Sequence, residues 1–202
     1  MTRILLALLA FIITPLALAD EMAPDVLVKT VAQEVLDIVR SDKDIQSGQS
    51  KKTFDLVETK VLPHFNFRRM TALAVGPGWR RATPEQQQEL IEQFKTLLVR
   101  TYSTGLSSYR NQVIEYKPLR AKPTDTEVIV RSEVRQSGQQ PVTIDYSMEK
   151  TPESWKAYDV AIGGVSLVTT YRDSFMAEIR ANGIDGLIKS LTEKNHQLEA
   201  KK

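Results

Sequence analysis

The spacing of apolar residues changes twice along this chain, and that change restricts the possible folds more than any other sequence feature. From residue 24 to 107 apolar residues recur every three to four positions, as at Leu90, Phe94 and Leu97, which predicts amphipathic helices. Between residues 113 and 162 they alternate with polar residues, which predicts strands. Helical spacing then returns, so the element order is helices, strands, helices.

The strand region is divided by short turns. Short turns between alternating strands indicate an antiparallel sheet that buries one face. The predicted fold class is therefore α+β, with a curved antiparallel sheet of about four strands and helices packed on one face. The predicted strands span residues 113–116, 126–136, 141–149 and 155–162.

Several helix boundaries have local signals. Residues 83–86 read Thr-Pro-Glu-Gln, which predicts an N-cap, a proline in the first turn and a capping box. Asn182-Gly183 predicts the end of one helix, and a last helix follows from Asp185. Residues 194–202 read as a polar tail with frayed ends.

The N-terminus has the pattern of a cleavable leader. Arg3 precedes an unbroken apolar run over residues 4–13, and Ala17-Leu18-Ala19 supplies a small-x-small cleavage site. The alternative is a membrane anchor, but a spanning helix needs about 20 apolar residues. We therefore expect residues 1–19 to be a signal peptide, cleaved after Ala19 on export, followed by a single domain over 20–193.

The charge balance restricts the partners. The chain has 27 basic and 25 acidic residues, and Arg3 alone lies in the leader, which leaves 26 against 25 and a net charge of +1. Such a balance argues against nucleic-acid binding. Basic side chains that could face an anionic head group or an acidic partner are Lys51, Lys52, Lys60, Arg68, Arg69, Arg80 and Arg81.

Catalytic chemistry has few candidates. The chain has no cysteine and two histidines, His64 and His196, so no metal-ligand cluster is visible. Ser166 lies in a partial nucleophile-elbow pattern that lacks the last glycine, and we interpret it as a helix N-cap. Tyr146 and Asp159 are the remaining suggestive pair for an enzyme. We predict no catalytic residue, metal or cofactor.

Periodicity leaves two interpretations of the apolar faces open. The helices and the sheet could pack into a solid core, or they could stand apart and enclose an apolar cavity for a long apolar ligand.

Separate motifs across the chain resemble one protein family, the MlaC or toluene-tolerance auxiliary family. They cover most of residues 25–190 in the order that the family has. The segments are 61–70 (VLPHFNFRRM), 74–76 (AVG), 78–80 (GWR), 83–106, 155–160 (WKAYDV), 164–167 (GVSL), 171–172 with Phe175, and 182–187 (NGIDGL).

The resemblance implies a periplasmic phospholipid carrier whose sheet and helices enclose a tail pocket, similar to nuclear-transport-factor and cystatin shapes. It further implies a monomer that carries phospholipid as cargo between MlaA with a porin at the outer membrane and MlaD of the inner-membrane transporter. Such transport maintains outer-membrane lipid asymmetry. The alternatives are a binding protein for another apolar molecule and an interaction module without catalysis.

A set of apolar side chains on the predicted inner faces is the candidate tail-binding site, although each could equally be ordinary core. The candidates are Leu98, Tyr102, Leu106, Val128, Val130, Ile144, Tyr146, Met148, Val160, Val165, Val168 and Phe175.

Overall fold

A computed structural model describes residues 22–200 of the chain, except Ser108 and Arg110. The predicted leader, residues 1–19, lies outside the described residues. The α-helices are α1 (Pro24–Ser41), α2 (Lys43–Gln46), α3 (Ser50–Leu56), α4 (Phe67–Val75), α5 (Pro84–Tyr102), α6 (Thr104–Ser107) and α7 (Leu167–Ala200). The strands are β1 (Val113–Tyr116), β2 (Glu127–Arg135), β3 (Val142–Lys150), β4 (Trp155–Ile162) and β5 (Val165–Ser166).

The strands form one antiparallel sheet in the order β1-β2-β3-β4-β5. This arrangement confirms the predicted α+β class. The prediction ended the sheet at Ile162, whereas Val165 and Ser166 add a two-residue edge strand that pairs with the end of β4. The segment is too short for alternation to reveal it.

The helices cover one face of the sheet. Val130, Tyr146 and Val160 lie opposite one another in register and share that face. On the other face Arg131 and Asp145 form an ion pair at 3.7 Å with both side chains exposed. The sheet therefore has one apolar and one polar face, as the alternation predicts.

A β-bulge bends the sheet near the start of β4. Ser147 pairs with Asp159 and Met148 with Ala157, so Tyr158 has no partner on β3. A bulge of this kind bends its strand and increases the local twist.

The segment between α3 and α4 crosses the free edge of β4. A π-helix (Val57–Val61) and a 3₁₀ turn (Leu62–His64) lead to Phe65, which forms a parallel bridge to Ala157. The Asn66 backbone N–H donates to the Ala157 carbonyl at 2.8 Å. These contacts hold Phe65 at the apolar face of the sheet.

Arg69 stabilises this crossing from the polar face of the sheet. Its guanidinium donates to Glu149 at 2.5 Å and to Glu127 at 2.7 Å, and it lies 3.7 Å from the ring centroid of Tyr158. The Arg69 hydrogen bond holds the pKa of the Glu127 carboxyl below its usual value. The network links α4 to β2, β3 and β4 around the edge of the sheet.

The main core lies between α5, α7 and the sheet. The predicted capping box of α5 is present, with reciprocal hydrogen bonds between Thr83 and Gln86. Phe94 is fully buried and meets Tyr171 and Phe175 edge-on, with ring centroids 5.2 Å apart in each pair. The predicted break at Gly183 is also present, because this residue has a φ of 73° inside α7.

The prediction of a frayed tail from residue 194 is wrong for residues 194–200, which continue α7. Asn195 is buried, and its side-chain amide donates to the Gln93 carbonyl at 2.9 Å. Arg100 in turn donates to the Asn195 backbone carbonyl. Asn195 lies on the same helical stripe as Leu191 and Leu198, but its polarity conceals the stripe in the sequence.

Candidate ligand-binding cavity

Two apolar compartments lie between the helices and the apolar face of the sheet. The α1 compartment has a volume of about 280 Å³ and extends from Val31 and Val35 on α1 to Met148 on β3. The α5 compartment has a volume of about 260 Å³, and its lining includes Val57 on the π-helix and Tyr102 on α5. Each is near the lower end, roughly 300 Å³, of the volumes typical of small-molecule sites.

The compartments are adjacent, because the same side chains line both. The π-helix, α6, Phe65 at the edge of β4, and β3 each contribute to this shared wall. Its members are Val61, Phe65, Leu106, Ile144 and Tyr146. A ligand with a long or branched apolar part could therefore occupy the two compartments together.

The linings carry almost no polarity. Within the described residues, 22–200 without 108 and 110, no Asp, Glu, Lys or Arg lines either compartment. Burial, and then the positive charge of Lys156, lower the pKa of His64 in the α1 compartment, so its imidazole is neutral at neutral pH. Burial raises the pKa of the Tyr146 hydroxyl, which stays protonated.

These features describe a site for hydrocarbon. It offers van der Waals contact and removal of apolar surface from water, and it lacks the convergent polar groups that fix a small polar substrate.

The local sequence explains how two helical elements reach the cavity. Val28, Val31 and Val35 recur at helical spacing, so one stripe of α1 faces the sheet. The π-helix places Val57 and Val61 over the α5 compartment. Such π-helical turns are rare and often occur at functional sites.

Comparison with known sequences decides the family. The sequence model of the MlaC protein family matches residues 29–193 of the chain. The chain belongs to the MlaC family. The resemblance predicted from the sequence is thereby confirmed.

Three individual relatives agree with this assignment. The chain is 26% identical over 205 residues to the intermembrane phospholipid transport system binding protein MlaC of Haemophilus influenzae, an alignment that covers 97% of this chain and 92% of the relative. It is 26% identical over 184 residues to the toluene tolerance protein ttg2D of Pseudomonas putida, covering 91% and 84% of the two chains. A solved structure of the phospholipid-binding protein from Ralstonia solanacearum, in complex with a phospholipid, has 43% identity and a TM-score of 0.83, and the match covers 88% of this chain and 99% of that one.

In this MlaC-family chain, α5, α6, β3 and β4 bring most of the predicted site residues to the cavity. Whether they contact a ligand stays a prediction. The predicted residues that line one or both compartments are Leu98, Tyr102, Leu106, Ile144, Tyr146, Met148 and Val160.

The structure places the other five predicted residues elsewhere. Val165 on β5 is 60% exposed and lines neither compartment, so its predicted place in the cavity lining is wrong. Val128 and Val130 are buried in a cluster with Leu27 and Val28 of α1, and they line neither compartment. The remaining two, Val168 and Phe175, are buried in the core between α5 and α7.

Sequence reasoning missed a second set of lining residues. Helical spacing in α1 revealed an inner stripe, but the stripe could not be assigned to a cavity. The missed residues include Val31, Val35, Val61, Phe65 and Phe67.

The basic residues do not act together, because ion pairs occupy several of them. Lys52 lies 3.1 Å from Asp42 and 2.6 Å from Asp44. Lys60 lies 3.4 Å from Glu34. Arg69 belongs to the network at the edge of β4, so three of the seven predicted cations are held by carboxylates.

The suggestive catalytic pair is separated by the sheet. Tyr146 pairs with Val160, so Asp159, one residue earlier, points to the opposite face. Its carboxylate accepts from the Ser166 hydroxyl at 2.5 Å and from the Val168 backbone N–H at 3.1 Å. Ser166 Oγ accepts from the Thr169 N–H at 3.0 Å, which confirms its predicted N-cap role. Asp159 therefore anchors the start of α7.

Replacing Asp159 with alanine is expected to lower the free energy of unfolding by about 1–2 kcal/mol, because the start of α7 loses its capping acceptor. The content of bound ligand should not change. Urea unfolding and ligand quantification measure the two effects. Asp159→Asn keeps one acceptor oxygen and should lose less stability. An alanine variant that is stable but loses its bound ligand would instead give Asp159 a functional role.

The described part of the chain also bears on metal binding and on membrane insertion. No group of three or more His, Cys, Asp or Glu residues in that part is placed to hold a metal ion. None of the helices described has both the length and the apolar character needed to cross a bilayer.

Proposed function

We propose that this chain is a phospholipid-binding transport protein. The observation that carries the proposal is the pair of adjacent apolar compartments, whose shared wall contains Ile144 and Tyr146. Two relatives support the proposal. One is a binding protein of an intermembrane phospholipid transport system, and the structure of the other was solved in complex with a phospholipid.

The physical requirement for such a carrier matches the cavity. Exposure of acyl chains to water costs about 0.8 kcal/mol per methylene, so a chain of roughly fifteen methylenes costs on the order of 12 kcal/mol. A carrier lowers this barrier by supplying apolar surface. It needs no catalytic group for that purpose, and we propose a role without catalysis.

The finer part of the proposal concerns location and partners. Export under the predicted leader would release a domain into the periplasm, where it shuttles phospholipid between MlaA with a porin and MlaD. In this setting transport would maintain outer-membrane lipid asymmetry. Cleavage after Ala19 belongs to the proposal, because a shuttle must diffuse freely between two membranes.

Expression of the whole sequence and native mass spectrometry of the exported product test lipid binding and cleavage of the leader. We expect the mass of residues 20–202 with additional mass equal to a glycerophospholipid, whose identity follows from extraction and tandem mass spectrometry. Incubation with labelled donor and unlabelled acceptor vesicles should then transfer the label at a rate that increases with protein concentration. An adduct of another apolar compound, or protein that never takes up lipid, would contradict the proposal.

A further inference from the structure

A charged cleft adjoins the apolar cavity. It has a volume of about 440 Å³ and lies between α3 with its π-helix, α5 and the end of α7. Leu62 and Val99 line both the cleft and the α5 compartment, and both are half-buried. A ligand whose tail lies in the α5 compartment therefore needs to pass only these shared side chains to bring its polar end into the cleft.

The cleft carries charges of both signs. Lys51, Lys95 and Arg100 contribute three cations, and Glu58 and Glu199 contribute two carboxylates. The linings of the two apolar compartments contain none of these charges. The polarity thus changes sharply at Leu62 and Val99, as an amphipathic ligand requires.

The cations differ in how firmly they are held. Arg100 lies 3.1 Å from Glu199 and also donates to the Asn195 carbonyl, so its position is fixed. Lys95 forms an ion pair with Glu92 on its own helix. Lys51 is exposed and makes no ion pair with any residue that the structure describes. Lys51 and Lys95 can therefore turn toward an added anion, because lysine has a long and flexible stem.

We infer that this cleft binds the phosphodiester of the phospholipid head group, an inference that rests on the proposed function. Lys51 and Lys95 contact the phosphate, and the tail enters between Leu62 and Val99. Glu58 and Glu199 face the ammonium or hydroxyl groups of the head. The cleft remains open to water, so its contribution is a preference for phosphate over an uncharged head.

Competition among lipids with identical acyl chains tests the inference. The full-length protein is equilibrated with vesicles that hold equal amounts of phosphatidylglycerol, phosphatidylethanolamine and diacylglycerol, and the extracted lipids are quantified. We expect the wild type to enrich the phospholipids over diacylglycerol. In Lys51→Glu/Lys95→Glu the enrichment should fall about tenfold, since each exposed ion pair contributes up to roughly fivefold. Total lipid per protein should stay unchanged.

A matched variant controls for net charge. Lys29→Glu/Lys122→Glu changes the net charge equally at exposed sites that do not line the cleft, and it should keep the wild-type enrichment. The wild-type preference should also weaken as salt is added, because salt screens exposed ion pairs.

Three results would overturn the inference. Equal enrichment in the two double variants would leave phospholipid binding intact but remove the head-group role of the cleft. Saturation of the cleft by inorganic phosphate without any effect on lipid enrichment would make it a site for free phosphate. A wild type that takes up no phospholipid would contradict the proposed function itself, and the head-group site with it.

Discussion

Replacing Ile144 with glutamate is expected to give a folded protein that purifies with less than about a tenth of the wild-type phospholipid, because a buried charge without a partner costs several kcal/mol. Ile144 lines both apolar compartments, so a carboxylate there meets acyl chains in either one. An empty cavity lets water solvate the carboxylate, whereas bound lipid excludes that water. Lipid extraction with quantitative mass spectrometry measures the loss, and circular dichroism establishes that the fold is kept.

Matched variants separate charge, size and position. Val165→Glu introduces the same charge at a side chain that is 60% exposed, and it should retain wild-type lipid. Ile144→Ala removes bulk without adding charge, and most of the lipid should remain. Ala32→Glu, which reaches the α1 compartment from a helix, serves if Ile144→Glu does not fold. Undiminished phospholipid in Ile144→Glu would show that this cavity does not hold the tails.

Truncation of Phe94 to alanine is expected to lower the free energy of unfolding by about 3–5 kcal/mol, the usual cost of removing a buried aromatic ring. Phe94 is 0% exposed and contacts two further rings, Tyr171 and Phe175, edge-on. Each such ring pair contributes about 0.5–1.5 kcal/mol beyond the area that it buries. Loss of the ring therefore weakens the contact between α5 and α7, and urea unfolding measures the change.

Two comparisons make this result specific to the core. Ile129→Ala removes a side chain that is 43% exposed, and it should change the free energy of unfolding by less than about 0.5 kcal/mol. Phe94→Leu keeps most of the apolar volume, so its loss of unfolding free energy should lie between those of Phe94→Ala and Ile129→Ala. A loss below about 1 kcal/mol for Phe94→Ala would mean that the α5–α7 contact closes around the missing ring.

Local pattern predicted much of the secondary structure. β1 and β4 begin and end at the predicted residues, and the capping box at Thr83 and the break at Gly183 are present. These features depend on neighbours within a few positions along the chain. Alternation selects a sheet face, and a cap or a glycine selects a helix end, without reference to the rest of the molecule.

Contacts between distant segments explain the errors. β5 consists of two residues that pair with β4 after a tight turn, and Val165, although it pairs with Ile162, remains exposed at the edge of the sheet. Two hydrogen bonds to α5 hold the end of α7 in its helical form. The Asn195 side chain donates to the Gln93 carbonyl, and Arg100 donates to the Asn195 carbonyl. No property of residues 194–200 alone predicts a partner about a hundred positions earlier in the chain.

The sequence by itself determined the class of the fold, the inner face of the sheet and, through separate motifs, the MlaC family. Only the tertiary structure decided which inward side chains border open space. Val130 and Tyr146 share a face and a register, yet Val130 is packed against α1 whereas Tyr146 lies between two compartments. Periodicity sets the direction of a side chain, but the distance of the opposing helix decides whether it meets another side chain or a cavity. That distance depends on contacts between segments far apart in the sequence, such as the bridge from Phe65 to Ala157.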